Sequence, residues 1–188
     1  LVEGREEESF SMQLIGEYQK IGDDERSTNI KIDNLVHRNG EKENILQNLY
    51  ITDSDAGGHR TLVLQSDFME GSIAGDFDLK GIKRSICNVI EKHLPSLGIK
   101  SDENARGGKN RFYYKLDVKN TEFLSNIIDL PVKVHEKLFI EGNCDDSKDY
   151  LTMNAKLKKI YVGKSVFRSI DINSKSNADD FSFSATVQ

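Results

Sequence analysis

Apolar side chains recur at every second position along most of the chain, the spacing that lines them up on one face of a β-strand. Phe10, Met12 and Leu14 alternate with Ser11 and Gln13, and Ile30 and Ile32 alternate with Lys31 and Asp33. Leu62 and Leu64 share a phase, as do Ile73, Phe77 and Leu79. The pattern resumes with Phe112, Tyr114, Leu116 and Val118, then Leu138 and Ile140, then Leu151, Met153, Ala155 and Leu157. It closes with Val166, Ile170 and Ile172, and with Phe181, Phe183, Ala185 and Val187. Half-buried strands are predicted nearly end to end.

Between 81 and 94 the period changes. Ile82, Ile86, Val89, Ile90 and Leu94 fall on one helical stripe while Lys83, Arg84, Asn88, Glu91 and Lys92 take the other faces, so an amphipathic helix is predicted there. Pro95 stops it, having no N–H for a further turn, and Gly98 helps the chain reverse. A second short helix is predicted over 121–128, with Phe123, Leu124, Ile127 and Ile128 apolar before Pro131. Asn39-Gly40, Gly57-Gly58 and Gly107-Gly108 tolerate the positive φ of tight hairpin turns. The polar stretches 22–28, 53–60, 101–109 and 143–149 read as solvated loops. The expectation is a mainly β fold in a single β-rich domain over 1–188, with a curved, mostly antiparallel meander sheet.

Composition narrows the partners. The 188 residues, 37% hydrophobic with 2 Pro, exclude a disordered chain. A net charge of −5 leaves no cation surplus for phosphates, so nucleic acid is excluded as a partner. No run approaches the roughly 18 apolar residues that cross a bilayer. The start Leu1-Val2-Glu3-Gly4-Arg5 does not read as a signal peptide, and a first residue other than Met suggests a piece of a longer chain whose anchor lies elsewhere. Cys87 and Cys144, far apart in sequence, are expected to be small buried thiols.

Catalytic and metal patterns are weak. Asp53-Ser54-Asp55-Ala56-Gly57-Gly58 opens like a calcium loop but carries Gly57 and Leu64 where ligands belong. Asp145, Asp146 and Asp149 lack a glycine-centred ligand pattern, and the His and Cys residues are too scattered for zinc. Gly71-Ser72-Ile73-Ala74-Gly75 misplaces the serine of a nucleophile elbow by one position. Asp76 and Asp78 would share one strand face by default. Phosphate-binding loops are absent, so no enzyme, cofactor or metal is predicted.

The stretch Leu62-Val63-Leu64-Gln65-Ser66-Asp67-Phe68, then Gly71-Ser72-Ile73-Ala74-Gly75-Asp76-Phe77-Asp78-Leu79, then a helix ending in His93-Leu94-Pro95, resembles the TamB family. These are translocation and assembly module proteins of the AsmA-like superfamily, here in the form found in Bacteroidetes. Asn120-Thr121-Glu122-Phe123-Leu124, Leu138-Phe139-Ile140-Glu141-Gly142 and Phe181-Ser182-Phe183-Ser184-Ala185 fit the same spacing, and the similarity covers roughly residues 9–188. The resemblance implies a section of a β-taco-like trough with an apolar inner face. The longer parent would be anchored in the inner membrane and span the periplasm. It would guide phospholipid between inner and outer membranes and support outer-membrane assembly and protein secretion with an Omp85-type partner. The helix departs from a trough made only of strands.

Physically, strands with one apolar face must bury it, and one helix of about four turns cannot cover them all. The excess is met either by an apolar groove or by a sheet that curls and fills itself. The groove reading places phospholipid acyl chains against Leu62, Leu64, Ile73, Phe77, Leu79, Phe112, Tyr114 and Leu116, with the Tyr114 hydroxyl as a polar tip. The alternative is a protein-interaction or adhesion module with a closed core, using edge strands and loops.

Overall fold

Among the described residues the alternating runs become eleven strands and the amphipathic run one helix. In chain order these are β1 (Glu8–Ile21), β2 (Glu25–Asn39), β3 (Lys42–Ala56), β4 (His59–Ser66), β5 (Met69–Asp76), α1 (Leu79–His93), β6 (Arg111–Val118), β7 (Lys133–Val134), β8 (Leu138–Asp145), β9 (Tyr150–Val162), β10 (Ser165–Ser176) and β11 (Phe181–Thr186). A single 3-10 turn, Asp146–Lys148, joins β8 to β9. The computed structural model describes residues 8–40, 42–93, 110–119, 133–134, 136–162, 165–176 and 178–187. The helix expected over 121–128, the loop at 101–109 and Gly107-Gly108 lie outside these residues.

The fold is mainly β, as the alternation implies: ten strands run in sequence order as one antiparallel meander, with β7 paired to β9 at the side. The sheet is not closed into a barrel. Among the described residues β1 and β11 each have a neighbour on one side only. Among those residues the sheet is therefore open at both edges. Its register carries one apolar row across every strand of the meander. Gly16 faces Ile30, Ile30 faces Ile51, and Ile51 faces Leu64. Leu64 then faces Gly71, Gly71 faces Leu116, and Leu116 faces Ile140. Ala155, Ile172 and Ala185 complete the row. The row one residue away holds Lys31, Tyr50, Gln65, Glu70 and Asp117, with Ile15 and Phe139 at either end of that run, so the opposite face is mostly polar.

The β3–β4 turn forms as its glycines require. Gly57 and Gly58 take φ of 60° and 80° between the paired Ala56 and His59. Of the stretches read as loops, 22–28 and 53–60 are mostly strand, where ladder hydrogen bonds and ion pairs stabilise the polar residues, while 143–149 is strand only to Asp145 and then forms the 3-10 turn. Asp53 accepts two hydrogen bonds from Arg60, at 2.7 and 2.5 Å, and Asp55 pairs with Arg26 at 2.7 Å. Asp67 also does more than solvate its turn. β4 ends at Ser66 while β3 continues, and the Asp67 carboxylate accepts the N–H groups of Gln47 and Asn48 at 2.7 and 3.2 Å.

The chain leaves β5 earlier than the alternation suggests. Asp78 caps the helix, its carboxylate accepting the Lys80 N–H at 3.3 Å, so Leu79 starts α1. Asp76 ends a strand and Asp78 begins a helix, which corrects their reading as a pair on one strand face. A buried polar knot holds this corner. Asn110 accepts the Asp78 N–H at 2.8 Å and donates through Nδ2 to the Ser85 hydroxyl at 2.7 Å. The Ser85 hydroxyl lies 2.8 Å from the Asp146 carboxylate, whose other oxygen accepts the Asn110 N–H at 2.9 Å. Asn110 and Ser85 are buried. A Cβ at Gly81 would stand 2.5 Å from Asn110 Nδ2, so the helix approaches this closely only because that position is glycine.

Removing a buried group that makes several hydrogen bonds leaves its partners unsatisfied. Asn110→Ala is expected to lower the free energy of urea unfolding by about 2–3 kcal/mol, while Lys83→Ala on the exposed helix face changes it by less than about 0.5 kcal/mol. Equal effects from the two would show that the knot does not hold the helix.

Candidate functional site

The helix reaches only part of the apolar face. Ile82 and Ile86 pack with Leu62, Ile73 and Tyr114 against a core of Phe77, Phe112, Cys144 and Leu151. Phe77 and Phe112 meet edge to face with ring centroids 6.0 Å apart. Beside this core, between helix and sheet, lies an apolar groove of about 250 Å³. Leu62, Leu64, Ile73, Phe112, Tyr114 and Leu116 line it together, six of the eight residues expected to do so. Ile82, Ile86 and Met69 complete its wall.

Phe77 and Leu79 do not line the groove, and each has a physical reason. Phe77 lies after β5 and is buried in the core. Leu79 opens the helix and is 41% exposed, because the Asp78 cap turns the backbone before a further strand residue can be added. Extending the period of two past Asp76 places both on the strand, and period alone does not reveal that Asn110, distant in sequence, captures the Asp78 N–H.

Glycines shape the floor. A Cβ on Gly71 would meet Leu116 Cδ1 at 3.2 Å, so the missing side chain leaves a dip between Leu64 and Leu116. At Gly142, the cross-strand partner of Tyr114, a Cβ would come within 2.6 Å of the phenol oxygen. The Tyr114 ring thus lies over bare backbone and its hydroxyl donates to the Thr152 carbonyl at 2.9 Å. That bond turns the polar tip toward the sheet, leaving an apolar wall. Burial, with a smaller contribution from Cys144, pushes the Tyr114 phenol up to about 12.

At the β3–β4 side the apolar face meets an ionic rim. Arg60, bonded to Asp53, lies 5.6 Å from the centre of the Phe77 ring. Toward both sides of the sheet the face continues uncovered. Phe10, Met12, Leu14 and Tyr18 are exposed on β1, and Phe183 on β11.

Both cysteines are free, Cys144 buried and Cys87 half-buried. Burial, then Asp146 and Asp145, pushes the Cys144 thiol up to about 12, far from the thiolate a nucleophile needs. Among the described residues no group of three His, Cys, Asp or Glu is placed to hold a metal ion, and no helix is long and apolar enough to cross a membrane. Comparison with protein-family models, with curated proteins and with solved structures finds no match to the chain.

The row residues Ile30, Ile51, Ile140 and Ile172 belong to the same apolar surface as the groove, although alternation by itself does not place them in line with its walls. Their alternation was visible, but only the register shows that they align with Leu64 and Leu116.

The two raised acids have a consequence for stability. Each is protonated in the native state above the pH at which its unfolded counterpart ionises, so its contribution is complete below the unfolded pKa and is lost as pH rises through the folded one. Thermal midpoints are expected to fall as pH rises from 9.0 toward 12, the interval between the ordinary and native values of Cys144. Cys144→Ala should make the early part of that fall shallower, leaving the Tyr114 share from 10.0 upward. An unchanged profile in the variant would contradict the assignment.

Proposed function

We propose that this chain is a non-enzymatic section of a lipid-conducting scaffold whose apolar face holds phospholipid acyl chains. The observation that carries this reading is the register row from Gly16 to Ala185, apolar at every strand and, among the described residues, covered by a helix only near its middle. Apolar surface of that extent is unfavourable in water and calls for an occupant. The groove, at about 250 Å³, is smaller than the roughly 300–1,000 Å³ of a small-molecule pocket. It suits one segment of a path more than a whole container. Its walls are aliphatic and aromatic and offer no converging polar groups, which supports guidance without chemistry: apolar contact is non-directional, so a chain can slide from strand to strand.

The resemblance to TamB-type AsmA-like proteins extends the same proposal to the parent. It would be a periplasmic protein anchored in the inner membrane, passing phospholipid toward the outer membrane and meeting an Omp85-type assembly protein there. An open meander with one apolar face supports that reading because neighbouring sections could extend the surface.

Binding of cis-parinaric acid, followed by its fluorescence, tests the groove. The chain is expected to bind it, and Gly71→Leu, which fills the dip beside Leu116, is expected to weaken binding about tenfold, or about 1.4 kcal/mol. Leu116→Lys should weaken it at least as much, while Gln65→Lys on the polar face leaves it unchanged. No binding by the folded chain, or equal losses from Gly71→Leu and Gln65→Lys, would overturn the proposal.

A further inference from the structure

Ten strands joined by nine antiparallel steps leave β1 and β11 running in opposite directions at the two edges of the sheet. Placed beside the β1 of a second copy with the same face up, β11 would therefore meet it antiparallel, as every neighbour in the meander does. The register that continues the central row, with Ala185 opposite Gly16, sets the remaining pairs without further choice. It puts Phe183 opposite Tyr18 and Val187 opposite Leu14. These four side chains are now exposed by 58%, 64%, 52% and 61%. An aromatic pair and an aliphatic pair thus flank a small pair, each the kind of cross-strand contact that stabilises a sheet. On the other face Ser184 would meet Glu17 and Thr186 would meet Ile15, with no like charges opposed.

The edges carry little to prevent this. Folded proteins commonly protect an edge strand with Lys, Pro or a bulge. β11, Phe181–Thr186, has neither charge nor proline. β1 is 14 residues long and lacks proline; in the proposed register its Lys20 falls opposite Phe181 and its Glu17 opposite Ser184, both uncharged, and the bulge at its pairing with β2 lies near Ser11, away from Gly16 and Tyr18.

From this complementarity we infer that copies of this chain associate head to tail, β11 of one pairing with β1 of the next, so that the apolar face becomes continuous across copies. Such a contact uses two different surfaces and does not close on itself, so association is open-ended. The inference concerns the edges of this stretch of chain by itself, not the parent proposed above, whose neighbouring sections would occupy the same edges.

Sedimentation velocity of the intact chain from micromolar to millimolar concentration tests it, with Phe183→Glu and Tyr18→Glu as variants. Both positions are exposed, and far-UV circular dichroism checks that the fold is retained. The unaltered chain is expected to form a growing series of oligomers, and each variant alone to sediment as a monomer. Each variant keeps one working edge, so an equal mixture of the two should give a 1:1 dimer and nothing larger. A monomeric unaltered chain overturns the inference. So does dimerisation of Phe183→Glu alone, which would show β1 pairing with itself, or a mixture that stays monomeric.

Discussion

A sheet of ten strands that is apolar on one face and mostly polar on the other has to place the apolar face against something, and this chain brings one helix to it within the described residues. That mismatch in area governs the rest. Where α1 lies, the sheet has a packed core of Phe77, Phe112, Cys144 and Leu151. Where it does not, the same register row continues with half-exposed or exposed side chains. The groove is the boundary between these two regimes, floored by the dip at Gly71 and walled by Ile82 and Ile86.

Position matters as much as area, and polar groups set the position of the helix. Apolar packing alone is tolerant of sliding, whereas a buried amide has few arrangements that satisfy all its hydrogen-bonding groups. Asn110 joins the start of the helix, its second turn through Ser85, and the 3-10 turn through Asp146. Lys92 adds an exposed pair with Asp149 at 2.6 Å, which fixes little by itself. Gly81 permits the close approach. The helix is thereby held at the core and kept off the strands on either side.

Much of the architecture was legible from the alternation of side chains, because a strand with one wet face records its orientation residue by residue. The amphipathic helix was legible for the same reason, beginning at Leu79, two residues before the start at 81 that its pattern predicts. The exit from β5 was not legible. Gly75-Asp76-Phe77-Asp78-Leu79 keeps a period of two, and the change to a helix depends on a bond from residue 110. Polar segments were also read too simply: Asp53 and Arg60 look like loop residues until strand pairing brings them together. Six of the eight groove residues came from strand phase alone, since phase selects a face. Extent along the sheet depends on register, which shifts at the β1–β2 bulge and is set by non-local pairing.

The central claim is that one face of this sheet, along its whole width, is a surface for acyl chains. Its most direct test is site-specific photo-crosslinking in the full-length protein in cells. A photoreactive residue is placed in turn at Ile51, Leu64 and Ile172 on the apolar row, and at Thr52, Gln65 and Asn173 on the polar face, with phosphorus-labelled lipid as the readout. The account predicts lipid adducts at all three row positions and none at their neighbours. Adducts on both faces, or on neither while the protein remains folded and functional, would contradict it.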